Sequence, residues 1–313
     1  MKVYIILAIV ALAAAQETSY VTQEYVSRVK SSASFEVQNY ADHVFKDFTL
    51  QEIRCKLGLL KNTKPRTITY GEVNPSLPKN FDAREQWKNC IHPIRDQKHC
   101  GSCWAFAASE VLSDRFCIAS QGQVDVVLSP QDLVSCDKND FGCQGGYIDQ
   151  SWEYLTHTGI VTDECLPYSS GSGDSGKCPF SKKKQECVKG EFKKYKSSSY
   201  KHFETIQEIK EEIVTNGPVE AGFTVYDDFL SYKSGVYKRT SNNVLGGHAV
   251  KIVGFGVEDG VENGDEYWIV ANSWGPKWGE DGFFKIKIGE CDFESEIHAG
   301  VPQLDSRNNL FME

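Results

Sequence analysis

The sequence of 313 residues has little that would favour nucleic acid or a membrane as a partner. Its 34 Lys and Arg residues are outnumbered by 43 Asp and Glu residues, which gives a net charge of −9. An acidic balance of this kind argues against nucleic acid or an anionic membrane surface. After residue 15, no segment is long and apolar enough to span a bilayer. The chain also lacks tandem repeats, a KDEL-type ending and an N-x-S/T sequon with an allowed middle residue.

The first 15 residues have the pattern of a removable secretory signal. Lys2 is followed by an apolar run that ends in Ala13-Ala14-Ala15 before Gln16, an A-x-A type of cleavage site. The run is too short to cross a bilayer. We therefore predict a signal peptide at residues 1–15 and entry into the secretory pathway, with a buried N-terminal helix as the alternative.

An odd number of cysteines indicates at least one free thiol. The chain has eleven cysteines, and most cysteines of a secreted chain form disulfides because their compartment is oxidising. We expect one of them to stay unpaired for a chemical reason.

The chain divides at a proline-containing linker, "NPSLPKN" at residues 74–80. Residues 16–76 carry 8 basic and 7 acidic residues, so the acidic excess lies in the rest of the chain. We predict that residues 16–76, called the pro-segment below, are removable. Residues 77–313, called the body, then form one peptidase domain.

Along the body, the sequence patterns typical of helices come first and those typical of strands come later. Residues 103–119 place apolar side chains on one face at helical spacing, and Ser102 before them offers a capping hydroxyl. Residues 169–187 predict a disulfide-tethered loop, in which Lys182–Lys184 form a solvated face. "HAVKIVGFG", "DEYWIVANSW" and "GFFKIKIG" predict antiparallel strands. Helices first and strands later indicate an α+β fold.

The stretch "DQKHCGSCWAF" at residues 96–106 contains Cys100 and Cys103, three positions apart. The pair could be a redox dithiol, a metal clip, or one structural cysteine beside one reactive thiol. Cys103 falls in the first turn of the predicted helix, whose positive end favours a thiolate. His248 opens a predicted strand and Asn272 ends the next one, so these two could supply an imidazole and the amide that orients it.

These residues carry a resemblance to a known family. "CGSCWAF" resembles the nucleophile motif of papain-like cysteine proteases, which have histidine and asparagine downstream. Four longer segments narrow the resemblance to the cathepsin B-like subfamily in its precursor form. They are "NGPVEAGFTVYDDFLSYKSGVY", "GGHAVKIVGFG", "ANSWGPKWGEDGFFKI" and "CDFESEIHAG". The resemblance implies an α+β fold of two lobes, a helical N-terminal lobe and an antiparallel, β-barrel-like C-terminal lobe, with the active-site cleft between them.

The resemblance also implies roles for individual residues. Cys103 would attack the peptide carbonyl, His248 would shuttle the proton, and Asn272 would orient His248. Gln97 would donate to the oxyanion together with the backbone N–H of Cys103. The implied substrate-binding residues are Gly145, Gly146, Glu296, Trp274 and Trp278. Of these, Glu296 would lie at the floor of the pocket for the side chain two residues before the cut, where it would accept Arg.

The implied disulfides are Cys90–Cys117, Cys100–Cys143, Cys136–Cys178 and Cys165–Cys187, although order alone supports the last two. Cys103 and Cys291 would be free, and Cys55 would leave with the pro-segment. Between Cys165 and Cys187, where cathepsin B carries its two carboxylate-binding histidines, this chain has no histidine. We therefore expect weak or absent carboxydipeptidase activity.

The resulting prediction is a cysteine endopeptidase made as a zymogen, active in a lysosome, an acidic vacuole or outside the cell. Its expected partners are protein and peptide substrates, its own pro-segment as an intramolecular inhibitor, and cystatin-like inhibitors. We expect a monomer without cofactor or metal. A catalytically inactive cathepsin B-like binding protein and a thiol–disulfide oxidoreductase are the alternatives.

Overall fold

The computed structural model describes residues 18–61, 68–258 and 264–305, so the predicted signal peptide lies outside the described residues. The helices are α1 (Gln23–Ser32), α2 (Leu50–Cys55), α3 (Ala83–Gln86), α4 (Cys103–Ala119), α5 (Pro130–Cys136), α6 (Ile148–His157) and α7 (Ile206–Asn216). The strands are β1 (Glu36–Val37), β2 (Phe81–Asp82), β3 (Ser197–His202), β4 (Val219–Tyr226), β5 (Tyr232–Ser234), β6 (Val236–Tyr237), β7 (Val244–Val257), β8 (Glu266–Ala271), β9 (Phe283–Lys287) and β10 (Glu296–Pro302).

The fold is α+β, as predicted, with a helical lobe and a sheet lobe. One apolar core joins α4, α5 and α6, and a second, larger core is built on the long sheet. The helices of the first lobe begin at local signals: the Ser129 hydroxyl accepts from the backbone N–H of Asp132 and Pro130 starts α5. None of the helices in the described part of the chain is long and apolar enough to cross a membrane.

Helix α4 is buried on all sides, not on one face as its apolar spacing predicted. Its residues from Cys103 to Cys117 are all buried, including three charged ones. Lys251 of β7 neutralises two of them, with its Nζ 2.6 Å from Asp114 Oδ2 and 3.7 Å from Glu110 Oε2. Arg115 donates to backbone carbonyls at the start of β4 and in β10. The charged face therefore contacts the sheet lobe, and α4 lies between the two lobes.

The prediction that the Ser102 hydroxyl caps α4 is wrong. Ser102 is the N-cap residue of α4, but its side chain makes no capping hydrogen bond. Its Oγ lies 3.0 Å from the hydroxyl of Tyr168 instead. The first turn of α4 therefore keeps its backbone N–H groups free of side-chain caps.

The sheet lobe is an open sheet among the described residues, so the barrel-like part of the prediction is corrected. Its strand order is β3-β10-β4-β7-β8-β9-β6, with β2 also paired to β7. All of these pairings are antiparallel except the one between β6 and β9. Closure would need β6 to pair with β3, at opposite ends of that order. In β9 the predicted alternation holds, with Phe284 and Ile286 buried and Lys285 half-buried.

The pro-segment packs against the sheet lobe. Thr22 caps α1, and a reciprocal capping box between Thr49 and Glu52 opens α2. Helix α1 buries three apolar side chains in the larger core, and β1 pairs antiparallel with β5 of the body. The predicted linker at residues 74–80 lies on the surface.

The structure forms four disulfides, in the pairs that the resemblance implies. They are Cys90–Cys117, Cys100–Cys143, Cys136–Cys178 and Cys165–Cys187. Two of them tether the loop at residues 169–187, which contains a 3-10 turn at Ser170–Ser172 and a turn closed by a bridge between Ser181 and Lys184. Among the described cysteines, Cys103 and Cys291 are free and buried, and Cys55 is free and exposed.

Candidate active site

Cys103 begins α4 and lies fully buried beneath the pro-segment. Burial raises the pKa of its thiol to about 11, although hydrogen bonds with the backbone of Ala249, Gly58 and Trp104 act in the opposite direction. Ala249 directly follows His248, so these contacts bring the sulfur beside the histidine strand. In this state Cys103 is held as a neutral thiol.

His248 and Asn272 meet across two neighbouring strands. Nε2 of His248 lies 2.8 Å from Oδ1 of Asn272, and the indole of Trp274 covers the imidazole at 4.8 Å between ring centroids. Because the amide oxygen can only accept, Nε2 carries the proton, and Nδ1 has no hydrogen-bond partner within the described part of the chain. Burial lowers the pKa of His248 to about 4, the bond to Asn272 raises it, and nearby Lys56 lowers it further. The imidazole is therefore neutral and can accept a proton.

Gln97 is fully buried, and its amide group binds the pro-segment. Its Nε2 donates to the carbonyl oxygen of Lys56 at 2.8 Å and to that of Cys100 at 2.7 Å. Lys56 itself is buried, and its Nζ donates to the carbonyl oxygen of Lys98. A carbonyl group of the pro-segment thus accepts from the amide that the resemblance assigns to the oxyanion.

Ser273 joins these groups into one network, and sequence reasoning did not single it out. Its Oγ donates to Oε1 of Gln97 at 2.7 Å, and its backbone N–H donates to Oδ1 of Asn272 at 2.8 Å. The first contact decides which end of the Gln97 amide faces the cleft. Ser273 lies between Asn272 and Trp274 in the chain, so its position in the motif was the available signal.

The pro-segment runs through the cleft and pairs with both lobes. The backbone N–H of Gly146 donates to Gly58, and the N–H of Leu60 donates to Gly146, both at 2.9 Å. On the other side, the N–H of Leu59 donates to Gly247 at 3.1 Å. Both bridges are parallel. The two lobes therefore hold one extended strand between them.

Glycines permit this close passage. A Cβ on Gly146 would lie 2.5 Å from the indole of Trp104, and a Cβ on Gly145 would lie 2.7 Å from the carbonyl oxygen of Gly58. On the pro-segment itself, a Cβ on Gly58 would collide with the carbonyl group of Gly101. At Gly145 and Gly58, therefore, the cleft and the pro-segment approach each other through backbone alone.

Glu296 borders a pocket that the pro-segment fills. It is half-buried at the start of β10 and is paired in register with Gly222 of β4. A Cβ on Gly222 would lie 2.5 Å from Leu59 Cδ2, 3.1 Å from Ile148 Cδ1 and 3.4 Å from Glu296 Oε2. Leu59, Ile148 and the Glu296 carboxylate thus converge on one space that Gly222 leaves open. A second carboxyl, that of Glu220, lies behind it, and burial raises its pKa well above the usual value.

The two tryptophans have different positions. Trp274 covers His248 and also packs edge-on against Phe45 of the pro-segment, with ring centroids 5.3 Å apart. Trp278 is fully buried, donates its indole N–H to the carbonyl of Leu230 and packs behind Trp274. Trp278 is as fully buried here as Cys103, His248 and Gln97, and its role as a substrate-binding residue stays a prediction.

Other side chains are not brought to the site. Cys291 lies near Tyr237 and Asp228, away from the Cys103 thiol and its backbone contacts. Within residues 18–61, 68–258 and 264–305, no group of three or more His, Cys, Asp or Glu side chains is arranged to hold a metal ion. Cys100 is in a disulfide with Cys143, which removes it from the dithiol and metal-clip alternatives.

The site and the fold define a class. A thiol at a helix N-terminus, an imidazole held by an amide, and a strand bound between two lobes are features of a cysteine protease. The sequence model of the papain family of cysteine proteases matches residues 77–301. The chain belongs to this family and is a cysteine peptidase.

Within the family, its similarity is to the cathepsin B-like enzymes. Cathepsin B-like cysteine proteinase 4 of Caenorhabditis elegans is 38% identical over 97% of this chain and 100% of the relative. Cathepsin B-like cysteine proteinase 5 of the same organism is 43% identical over 78% of this chain and 80% of the relative. The solved structure of procathepsin B S9 from Trypanosoma congolense superposes with a TM-score of 0.77 and 32% identity, covering 91% of this chain and 99% of that chain. The protein is thus made as a proform.

Proposed function

We propose that this cysteine peptidase is an endopeptidase in which Cys103 and His248 form the reacting pair. The Cys103 thiolate attacks the peptide carbonyl to give a thioester, and His248, held by Asn272, protonates the leaving amine and then activates water. Gln97 Nε2 and the backbone N–H of Cys103 stabilise the oxyanion. Trp274 shields the bond between His248 and Asn272 from water.

The observation that carries the proposal is the binding of the pro-segment backbone by the same groups. The Lys56 carbonyl accepts from Gln97, the Gly58 backbone contacts the Cys103 sulfur, and Gly146 pairs with residues 58–60. Each of these interactions is one that a substrate peptide needs. Loss of the pro-segment would free the Gln97 donor and return water to Cys103 and His248.

The protonation of the pair supports a zymogen mechanism. While the pro-segment is bound, burial raises the pKa of Cys103 and lowers the pKa of His248. Both shifts disfavour the thiolate–imidazolium pair. Removal of the pro-segment by a cut near Leu77 would lessen the burial and so favour the charged, reactive pair.

We further propose that substrates lie along Gly145 and Gly146 and that Glu296 selects for the residue two positions before the cut. Leu59 of the pro-segment fills that pocket, which supports its acceptance of apolar side chains. The carboxylate of Glu296 would let the same pocket accept Arg.

Endopeptidase activity should dominate because the loop from Cys165 to Cys187 offers no histidine to hold a substrate carboxylate. The destination that we propose is a lysosome, an acidic vacuole or the outside of the cell, reached through a signal at residues 1–15. The mature monomer, residues 77–313, would act on protein and peptide substrates without cofactor and would be open to cystatin-like inhibitors.

One experiment tests the proposal: acid-activated enzyme is incubated with a peptide library, and the products are identified by mass spectrometry. We expect internal cleavage, with little release of C-terminal dipeptides. Cys103→Ala should lower kcat/KM by roughly 10⁴-fold or more, while Cys291→Ala, the matched control at the other buried thiol, should cleave like the wild type.

Three outcomes would contradict the proposal. Unchanged cleavage by Cys103→Ala would exclude its thiol as the nucleophile, and a wild-type body that cleaves nothing would favour the inactive binding protein. Efficient dipeptide release would refute the endopeptidase assignment.

A further inference from the structure

A row of four aromatic rings crosses the cleft between the two lobes. Trp274 of the sheet lobe packs edge-on against Phe45 of the pro-segment at 5.3 Å, and Phe45 packs edge-on against Phe48 at 5.4 Å. Phe48 then stacks face to face on His99 of the helical lobe, with ring centroids 5.1 Å apart and planes within 8°. His99 is thus the ring with which the helical lobe contacts the pro-segment here.

The order of contacts along the pro-segment fixes the side of the cleft on which this row lies. Residues 58–60 pair with Gly146 and Gly247, and Lys56 meets Gln97 at the proposed oxyanion site. Phe45 and Phe48 come earlier in the chain and contact Trp274 and His99. The reacting centre therefore separates the aromatic row from Gly146. In the proposed function the pocket that Leu59 fills takes the residue two positions before the cut, and Leu59 pairs with Gly146. Gly146 therefore borders the acyl part of the substrate, and the row lies on the leaving-group side.

His99 is presented on a rigid loop. Its backbone N–H donates to the carbonyl of Gly171 at 3.0 Å, and the next residue is fixed by the disulfide Cys100–Cys143. The preceding residue, Lys98, is held at a φ of 55° while its N–H donates to Oδ1 of Asp96 at 2.8 Å. An exposed ring with a fixed backbone loses little freedom when a second ring stacks on it.

We propose that His99 is a specificity-determining residue of the mature enzyme, which binds an aromatic side chain of the substrate on the leaving-group side by stacking. This inference rests on the proposed function and names a preference of the same site. In the proform, Phe48 occupies the face of His99 on which the substrate ring would stack. A cavity of about 1160 Å³ lies beside the row and is lined by His99, Trp274 and Lys277 among others. This cavity offers room for a substrate backbone that takes a different path from the pro-segment. Departure of the pro-segment leaves the His99 face open to substrate.

The test uses mature enzyme and internally quenched peptides that differ at a single position. Each peptide carries one Phe in an all-Ala stretch, at the first, second or third residue after the scissile bond. We expect wild-type kcat/KM to be highest for one of the Phe peptides, by about 2- to 10-fold over the all-Ala peptide, which is the usual range for an aromatic pair. His99→Ala should remove this advantage and leave cleavage of the all-Ala peptide unchanged.

Two further variants make the test specific. His99→Phe should keep the preference, because it retains a ring at the same place. Lys277→Ala, which removes an exposed charge lining the same cavity, should keep it as well. Loss of the preference in Lys277→Ala to the same degree as in His99→Ala would assign it to the charge of the cavity and overturn the inference.

The outcomes separate this inference from the proposed function. Wild-type enzyme that cleaves the peptides without any Phe preference contradicts the role of His99 and leaves the peptidase assignment intact. An equal loss on Phe and all-Ala peptides in His99→Ala shows a merely structural role and also contradicts it. Failure of the wild type to cleave any peptide contradicts the proposed function itself.

Discussion

At the scale of single residues, the pocket that Leu59 fills connects the pro-segment to substrate choice. Leu59 lies against Gly222, with Ile148 and the Glu296 carboxylate beside it. An apolar residue occupies the pocket in the proform, and a carboxylate at its border can pair with a basic one.

The first prediction concerns Glu296. Glu296→Gln should lower kcat/KM by about 10-fold or more for substrates with Arg two residues before the cut, because a charge-assisted hydrogen bond is lost. Substrates with Phe at that position should change by less than about 2-fold, since their contacts with Ile148 and Gly222 are apolar. The measurement is kcat/KM for an Arg-Arg and a Phe-Arg peptide with the same leaving group.

Gln is the matched substitution because it keeps the length and shape of the side chain. Equal losses on the two peptides would mean that Glu296 supports the strand β10 and does not read the substrate. Glu153→Gln, at an exposed carboxylate on α6, should leave both peptides unaffected.

Some residues of the site belong to short sequence motifs and could be predicted, whereas contacts between distant residues could not. The short motifs of the sequence single out Cys103, His248, Asn272 and Gln97, and the structure brings them together around one bound strand. Contacts between distant positions carry no such signal: Ser273 and Gln97 are 176 positions apart, and Lys56 and Gln97 are 41 positions apart. These contacts could not be predicted from the spacing of residues along the sequence.

At the scale of elements, the turn between α1 and α2 holds a buried histidine. Nε2 of His43 lies 3.0 Å from Ser231 Oγ in the body, and its Nδ1 accepts from the backbone N–H of Phe45 at 3.1 Å. Because Nδ1 accepts, it must be unprotonated, and burial lowers the pKa of His43 from 6.5 to about 4. The docked turn therefore prefers a neutral imidazole.

The sign of the pH dependence follows from this shift. Stability that needs neutral His43 is fully present above pH 6.5 and is lost as the pH falls towards about 4, because the undocked imidazole protonates first. The loss is on the order of 3 kcal/mol at the acidic end. Protonation of His43 therefore weakens the docking of the pro-segment as the pH falls.

The second prediction is that His43→Gln makes the proform more resistant to acid. A glutamine cannot titrate in this range, so conversion to the mature form should need a lower pH than in the wild type and should depend less on pH between 6.5 and 4. The measurement is the fraction of chain converted in a fixed time at each pH, followed by gel electrophoresis.

An exposed histidine of the body provides the control. His157→Gln makes the same substitution outside the pro-segment interface and should leave the conversion profile unchanged. Coincident profiles for His43→Gln and wild type would exclude His43 as the group whose protonation loosens the pro-segment.

The type of each of these elements, helix or strand, could be predicted from the sequence, but the residues that pack against it could not. The spacing of apolar residues predicts α4 over the residues that it occupies, and the alternation in "GFFKIKI" predicts the buried face of β9. The burial of Glu110 and Asp114 could not be predicted, because their partner Lys251 lies 137 positions from Asp114 on β7. The charged side chains of α4 therefore meet a lysine of the sheet lobe.

At the scale of the whole molecule, the pro-segment is part of the fold. Its apolar side chains join the larger core, β1 pairs with β5, and residues 57–61 lie between the two lobes. Removal of the pro-segment therefore opens the cleft and exposes part of the sheet lobe.

The two lobes could be predicted from the order of helical and strand-rich segments in the sequence. Whether the sheet closes into a barrel could not be predicted. Helices precede strands in the body, which favours two packed layers. Whether a sheet closes depends on pairing between its outermost strands. Here these are β3 and the short β6, and among the described strands β6 pairs with β9 alone, in parallel. No local pattern encodes that choice.

The central claim is that Cys103 is the nucleophile and that the pro-segment keeps it inert, and alkylation with iodoacetamide tests it most directly. Cys55 is exposed in the pro-segment and serves as an internal control, while Cys103 and Cys291 are buried. Site-mapped mass spectrometry at pH 5.5 should find Cys55 modified in the proform and Cys103 modified roughly 100-fold more slowly than in the mature enzyme. After maturation, Cys103 should react rapidly and Cys291 should not. Equal rates at Cys103 in proform and mature enzyme would contradict the account.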